Sequence, residues 1–117
     1  MKIEQDAVLL RIFIGESDRF GHASLADAIV AKAHESGLAG ATVLRGVQGF
    51  GARSRIHTSK ILRLSEDLPV VIELVDSPER IAEFLPAIET MMGDGLVTME
   101  KVKVLIYRGS ESGGKAS

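Results

Sequence analysis

The chain of 117 residues contains no cysteine, so a disulfide framework, a thiolate metal site and a cysteine nucleophile are all excluded. It also lacks an apolar run long enough to cross a bilayer, and residues 1–6 show no apolar stretch of the signal-peptide type. We therefore expect a folded cytoplasmic protein. Its length suits one compact domain over residues 1–117, with frayed ends at 1–6 and 109–117.

Acidic residues are absent between Ser36 and Ser65, although the whole chain carries a net charge of −2. The net charge provides no basic field for nucleic acid. The local excess of positive charge predicts a surface that binds an anion or docks on an acidic partner. The alternative is a solvated loop whose charges keep it soluble. The basic residues of this stretch are Arg45, Arg53, Arg55, His57, Lys60 and Arg63.

Metal ligation and catalysis find little support in the pattern. The three histidines, His22, His34 and His57, form no closely spaced ligand pair, so no metal site is expected. The nearest set resembling a nucleophile with its base is formed by Ser54, His57, Ser59 and Asp67. These residues belong to a segment expected to be mobile, which is a poor scaffold for chemistry. We expect no enzyme, and keep a small-molecule enzyme with His57 as base as an alternative.

Hydrophobic periodicity predicts four strands and two helices. Pro86 lies inside the second helix and cannot donate to the Ala82 carbonyl, so a kink or a break is expected there. The order is that of an α+β, ferredoxin-like βαββαβ fold, with an antiparallel four-stranded sheet, two helices on one face and a long loop between strands two and three. The predicted elements are strand 7–14, helix 24–37, strand 40–47, strand 68–76, helix 77–92 and strand 97–107.

The predicted strands are apolar on both faces, above all at 70–75. Two helices cover only one face of such a sheet, so burial of the other face by association of subunits is favoured over chance variation in a small core. Arg11 and Glu73 are single charges inside their strands. For Glu73 two interpretations stay open, a place at a solvent edge and an ion pair with a base.

Two glycine-rich segments end predicted strands, at 46–51 (GVQGFG) and at Gly93-Asp94-Gly95. Glycine lets a backbone approach a ligand closely and present its N–H groups to a phosphate. Neither segment has the context of a dinucleotide-binding motif or the ending of a P-loop. From the residues alone, phosphate binding and ordinary turn formation therefore both stay open.

The distribution of these motifs resembles that of PII signal-transduction proteins. The resemblance rests on residues 40–43 (GATV), on Gly49-Phe50-Gly51 at the start of a long loop, and on Gly93-Asp94-Gly95 before the last strand. Residues 10–18 (LRIFIGESD) and 40–65 are also similar to a PII-like family of unknown function from bacteria and archaea. The resemblance implies a homotrimeric signalling protein without a required cofactor, whose sheets face inward and whose intersubunit clefts bind an adenine nucleotide.

The resemblance also implies roles for single residues. Thr42 and Glu73 would lie near the base, Gly93 and Gly95 near the phosphates, and Arg108 would reach the phosphates. The full implied nucleotide site is Thr42, Gly49, Phe50, Gly51, Arg53, Glu73, Gly93, Asp94, Gly95 and Arg108. Loop 48–65 would correspond to the T-loop, which docks on a transporter, channel or enzyme through Arg53, Arg55, His57, Lys60 and Arg63.

Two departures from the PII pattern refine this expectation. The lysine that follows Gly-Asp-Gly in that pattern is Leu96 here, which cannot pair with a polyphosphate, so AMP or ADP is expected rather than ATP. Loop 48–65 contains no tyrosine, since the single tyrosine is Tyr107, so uridylylation by the PII route is not expected. A trimeric interaction module that needs no ligand remains the alternative function.

Overall fold

The structure is a computed structural model that describes residues 5–50 and 67–109. These residues form six strands and two helices. In chain order they are β1 (Gln5–Gly15), β2 (Arg19–Phe20), β3 (Ala23–Ser24), α1 (Leu25–Glu35), β4 (Thr42–Arg45), β5 (Pro69–Asp76), α2 (Pro78–Met91) and β6 (Leu96–Val104).

The four longer strands form one antiparallel sheet in the order β4-β5-β1-β6. The two strands at its centre, β1 and β5, are the two most apolar segments, and Ile12 lies directly opposite Ile72 in their register. Both helices pack against the same face of this sheet. The predicted ferredoxin-like α+β fold is thereby confirmed.

Alternate residues of the central strands form the covered face and supply the hydrophobic core. Because side chains alternate across a strand, the even-numbered positions from 8 to 14 in β1 and from 70 to 74 in β5 point to the helices. Leu10, Ile12 and Ile72 have no exposed surface at all, and the helices contribute residues spaced by three and four positions. The core cluster is Val8, Leu10, Ile12, Ile14, Leu25, Ile29, Ala33, Val70, Ile72, Leu74, Ile81, Phe84 and Ile88.

No described element packs on the other side of the sheet, which we call the open face. Its residues are the odd-numbered positions of β1 and β5 and their neighbours on β4 and β6. Several are apolar and partly or largely exposed: Leu9, Phe13, Leu44, Val71, Val75 and Leu96. The strands are thus apolar on both faces, as the sequence pattern predicted.

Both helices begin at a serine cap. The Ser24 hydroxyl accepts the Asp27 amide at 3.1 Å and the Ser77 hydroxyl accepts the Arg80 amide at 3.2 Å, so each satisfies one of the free amides of the first turn. Of the two possibilities predicted at Pro86, the break is wrong, because α2 runs without interruption from Pro78 to Met91. Ala82 and Pro86 both lie on the exposed side of α2, where the Ala82 carbonyl that loses its donor can be solvated.

A short hairpin between β1 and α1 escaped the sequence prediction. Arg19 pairs with Ser24 and Phe20 with Ala23, around a turn in which Gly21 has a φ of 63°. Two-residue hairpin turns favour glycine at such positions, so Gly21 was the available signal. Strands of two residues carry no periodicity that sequence reasoning can detect.

The ends of the sheet strands differ modestly from prediction. Strand β4 is limited to Thr42–Arg45 and β6 ends at Val104, three residues before the predicted end. Strand β1 begins at Gln5, inside the segment expected to fray, because Gln5 and Asp6 pair with Val104 and Lys103. Lys103 also forms an ion pair with Asp6 at 3.1 Å.

Candidate functional site

The residues predicted to bind a nucleotide are divided between the two ends of the sheet. One end contains the glycine turn before β6 and the segment that follows β4. The other end contains Arg108, and between the two lie Thr42 and Glu73, which are direct partners on β4 and β5. Gly51, Arg53 and the predicted docking residues Arg55, His57, Lys60 and Arg63 lie outside the described residues.

The turn Gly93-Asp94-Gly95 leads into β6, whose first residue Leu96 lies opposite Phe13. Gly95 has a φ of 151°, and a Cβ atom there would lie 2.9 Å from the Phe13 carbonyl oxygen, so the fold itself requires glycine. At Gly93 a Cβ atom would meet no heavy atom of the described chain within 4 Å. The contacts of the described chain therefore do not require glycine at position 93.

The residues after β4 lie at the same end of the sheet. The Gly46 amide donates to the Pro69 carbonyl at 2.7 Å, and a Cβ atom on Gly49 would approach the Pro69 ring to 3.1 Å. Pro69 in turn lies opposite Gly15 at the end of β1. The exposed side chain of Phe50 follows directly. Gly49 and Phe50 are thus placed at the same end of the sheet as the glycine turn, but beside the opposite edge strand.

The acidic turn after β1 connects these parts. Glu16 forms an ion pair with Arg45 at 2.8 Å, and its amide donates to the Leu68 carbonyl at 2.8 Å. The Asp67 carboxylate accepts the Ser17 amide at 2.9 Å. Glu16 thus contacts the neighbouring segments through both its carboxylate and its amide. Both chain segments that flank residues 51–66 are thereby attached to this turn.

Asp67 therefore has a structural role in this turn. The sequence also grouped Asp67 with Ser54, His57 and Ser59 as a possible catalytic set. Those three residues lie outside the described part of the chain, so this grouping stays a prediction.

A cleft of about 510 Å³ opens between the β2–β3 hairpin and the glycine turn. We call it the turn cleft, and its lining includes Asp18, Arg19, Asp67, Gly93 and Asp94. Asp18 also accepts the Gly15 amide at 3.0 Å, which helps to fix the turn after β1. Three carboxylates in this lining make the turn cleft a poor environment for a phosphate on its own.

A larger cleft of about 750 Å³ lies toward the other end of the sheet. We call it the sheet-end cleft, and it contains Thr42 and Glu73, the two residues predicted to lie near a base. Its walls include the apolar side chains of Val75 and Val104, and its rim includes Tyr107. Its size is typical of a site for a small organic ligand.

Glu73 is held by an arginine from the neighbouring strand. Arg11 Nε donates to Glu73 Oε2 at 2.9 Å, and Arg11 Nη1 donates to Glu100 Oε1 at 2.9 Å. The hydrogen bond to Glu73 is the largest of the effects that raise the pKa of the Arg11 guanidinium. Of the two interpretations of Glu73, the ion pair with a base is correct. Sequence reasoning left this pair unassigned, although two lone opposite charges in neighbouring apolar strands were an available signal.

The part of the sheet-end cleft around Ala39 is held by hydrogen bonds that the sequence did not predict. Asp76 accepts the Ala39 amide at 2.9 Å and the Ser77 amide at 2.7 Å, which holds the segment before β4 against the end of β5. The Tyr107 hydroxyl donates to the Ala39 carbonyl at 3.4 Å. Arg108 follows Tyr107 in the chain and is exposed.

Arg108 and the glycine turn cannot contact one small ligand within the same chain. Strand β6 separates Gly95 from Arg108, and its nine residues alone span about 26 Å at the usual rise of about 3.3 Å per residue. Gly49 and Gly93 share one end of the sheet, but two strands lie between the edges to which they belong. A site that uses all these residues must therefore draw them from more than one chain.

Within residues 5–50 and 67–109, no group of three metal-ligating side chains comes together. The same part of the chain contains no helix with the length and apolar character needed to span a membrane.

Comparison with known proteins decides the family. Residues 7–104 match the model of the DUF190 family, described as "Uncharacterized ACR". The chain belongs to the DUF190 family. A UPF0166 protein of Aquifex aeolicus is 39% identical over 97 residues, which cover 83% of this chain and 91% of the relative.

Solved structures similar to this member of the DUF190 family are PII-like proteins. CPII of Thiomonas intermedia K12, a nitrogen regulatory PII-like protein solved with ADP, AMP and bicarbonate, superimposes with a TM-score of 0.59 at 13% identity, covering 91% of this chain and 100% of CPII. A putative PII-like signaling protein of Thermus thermophilus has a TM-score of 0.60 at 18% identity, covering 87% and 92% of the two chains. At these identities the likeness establishes the PII-like fold, as the sequence resemblance predicted.

Proposed function

We propose that the protein is a PII-like regulator that binds an adenine nucleotide in clefts between the subunits of a homotrimer. Ligand binding alters loop 48–65, which docks on a protein partner through Arg53, Arg55, His57, Lys60 and Arg63. In this proposal the protein performs no catalysis.

The observation that carries the proposal is the division of the predicted ligand residues. Gly93 and Gly95 precede β6, whereas Arg108 lies beyond its other end, and Thr42 and Glu73 lie between them in the sheet register. Two chains that associate through their open faces can bring the cleft of one chain near the glycine turn of the next. The apolar side chains of the open face provide the surface for such an association.

The nucleotide class follows from the chemistry of the two parts. The lining of the sheet-end cleft combines apolar side chains such as Val75 and Ile106 with polar ones such as Thr42 and Glu73, which suits an organic ligand with hydrogen-bonding groups. At the glycine turn Leu96 supplies no charge for a third phosphate, so we favour AMP or ADP over ATP. The PII-like neighbour CPII, solved with ADP and AMP, supports the same class of ligand.

Calorimetry with AMP, ADP and ATP tests the proposal when it is combined with a measurement of molar mass by light scattering. We expect a mass of three 12.5 kDa chains and one nucleotide per chain, with ATP the weakest of the three. A trimer that binds none of them would instead support an interaction module that needs no ligand. A monomer that binds none would contradict both functions.

The variant Leu96→Lys tests whether the residue after the glycine turn decides between AMP and ATP. A lysine at this position adds the charge that the PII pattern has after Gly-Asp-Gly, so affinity for ATP should rise by about tenfold relative to AMP. Met99→Lys is the matched control, since it adds the same charge to an exposed position on the opposite face of β6. An equal gain in both variants would show a general charge effect and would argue against phosphates at the glycine turn.

A further inference from the structure

One hydrogen bond connects the segment after β6 with the opposite edge of the sheet. Strands β6 and β4 are the two edges, and the two strands between them separate the edges by about 14 Å at the usual spacing of about 4.8 Å. The Tyr107 hydroxyl, after β6, nevertheless donates to the carbonyl of Ala39, which precedes β4. The chain after Val104 is therefore directed across the end of the central strands.

The acceptor of this hydrogen bond is itself held in place. Asp76 at the end of β5 accepts the Ala39 amide at 2.9 Å, and Arg80 in the first turn of α2 donates to the Gly37 carbonyl. Both backbone polar groups of Ala39 are thus hydrogen-bonded. Ala39, Asp76 and Tyr107 all line the sheet-end cleft, so the contact joins two sides of that cleft through a fixed part of the chain.

The same hydrogen bond contributes little to global stability. Tyr107 is 70% exposed, and 3.4 Å is long for a hydroxyl donor. A segment that follows the last strand can also open locally without disturbing the core. The contact therefore decides where the residues after β6 lie rather than whether the sheet folds. It fixes the next residue as well, because the Cα atom of Arg108 is only about 3.8 Å from that of Tyr107.

We propose that Tyr107 is a positioning residue, which anchors the segment after β6 to Ala39 and so holds the Arg108 cation at the sheet-end cleft before the nucleotide arrives. The inference rests on the proposed function, which it deepens by naming the residue that orders one side of the ligand cleft. Ordering this segment in advance removes an entropy loss that would otherwise oppose binding.

Adenosine and AMP, which differ only in the phosphate, provide the test by calorimetry. In Tyr107→Phe we expect AMP to bind about threefold more weakly, the lower end for one hydrogen bond, and adenosine to bind as before, because Arg108 attracts only the charged ligand. Arg108→Met should weaken AMP binding by about tenfold or more. Adding Tyr107→Phe to Arg108→Met should then have no further effect, since the tyrosine acts through the arginine.

Thr90→Val is the matched control. It removes another exposed hydroxyl that donates to a backbone carbonyl, that of Pro86 at 3.0 Å, on the outer side of α2. Its affinity for AMP should equal that of the wild type.

The contact can also be measured without any ligand, because Tyr107 is the single tyrosine of a chain that contains no tryptophan. The anisotropy of tyrosine fluorescence therefore reports on this side chain alone. Asp76→Ala releases Ala39 and should lower the anisotropy, whereas Glu89→Ala on the exposed side of α2 should not. Unchanged anisotropy in a folded Asp76→Ala chain would overturn the anchor, whatever the nucleotide measurements show.

The outcomes separate this inference from the proposed function. If the wild type binds neither adenosine nor AMP, the proposed function fails and the inference with it. If AMP binds equally well to the wild type and to Tyr107→Phe, nucleotide binding stands and the inference is overturned. Equal losses of adenosine and AMP affinity would show a purely structural role and overturn it too. So would a Tyr107→Phe chain that circular dichroism shows to be unfolded.

Discussion

The two faces of the sheet are built on the same strands and differ in almost every other respect. On the covered face the central strand presents Leu10 and Ile12, which have no exposed surface. On the open face the same strand presents Leu9, Arg11 and Phe13, which are half-buried. The covered face contains no charge among its buried residues, whereas the open face carries the Arg11 ion pairs at its centre.

This difference shows which face holds the fold and which is available for function. Apolar burial on the covered face stabilises a single chain in its own right. The open face combines apolar side chains with a charged group whose members come from three strands, and one of those members lines the sheet-end cleft. Substitutions on the two faces should therefore change different measurable properties.

The largest effect on stability is expected on the covered face. Ile12→Ala removes a fully buried side chain between the sheet and the helices, which should lower the free energy of unfolding by about 2–5 kcal/mol. Urea denaturation at a fixed protein concentration measures the change. Val47→Ala, at a position that is 92% exposed, is the control and should change stability by no more than about 0.5 kcal/mol. Equal losses in the two variants would contradict the assignment of the core.

A charge on the open face should change association before it changes folding. Leu44 is 47% exposed on the edge strand β4, so Leu44→Asp should leave the circular dichroism spectrum of the chain intact. Burying an unpaired carboxylate between subunits is costly, so the molar mass measured by light scattering should fall toward that of one chain. Val47→Asp adds the same charge away from the sheet. A trimer that survives Leu44→Asp unchanged would rule out the open face as the association surface.

Within the glycine turn, Gly95 packs on the fold and Gly93 does not, so the two positions should affect stability and binding differently. Gly95 faces the backbone of β1, so Gly95→Ala should lower the free energy of unfolding by about 1–3 kcal/mol through strain at its φ. Gly93 faces open space, so Gly93→Ala should leave the melting temperature unchanged and lower the affinity for AMP by about tenfold if a phosphate packs on that backbone. Differential scanning fluorimetry and calorimetry separate the two effects. Unchanged AMP affinity in Gly93→Ala would show that the phosphates do not pack on this turn.

The smallest effect is expected from the exposed half of the Arg11 ion-pair group. Glu100→Gln leaves a carbonyl oxygen that can still accept from Arg11, and Glu100 is largely exposed, so the melting temperature should fall only slightly and less at high salt. The raised pKa of Arg11 means that its contribution is present at every pH below its ordinary pKa and is lost only above its raised value. A melting temperature that changes between pH 6 and pH 9 would therefore have to be attributed to other groups.

Sequence reasoning succeeded where one signal repeats along a segment. The continuous apolar runs of β1 and β5 and the three-and-four spacing in α2 located these elements to within two residues. The serine caps of α1 and α2 were equally visible. Of the kink or break predicted at Pro86, the break is wrong, because a local rule about one hydrogen bond was given more weight than the packing of the whole apolar stripe.

The candidate site was predicted less completely than the fold. The Gly-Asp-Gly turn and the pair Thr42 and Glu73 could be named from motifs, but their distance from one another could not. The roles of Asp76, Tyr107 and Arg11 also went unrecognised, because each depends on a neighbour that is distant in sequence. Arg11 and Glu73, for example, are separated by 62 positions.

The sequence by itself determined which residues are apolar, at which period they recur and where glycine interrupts them, and these local properties specify the strands, the helices and their order. Only the tertiary structure decided that Arg11 holds Glu73, that Glu73 shares a cleft with Thr42, and that the glycine turn lies at the far end of β6. The physical reason is that strand pairing sets the register between distant segments, and register decides which side chains meet.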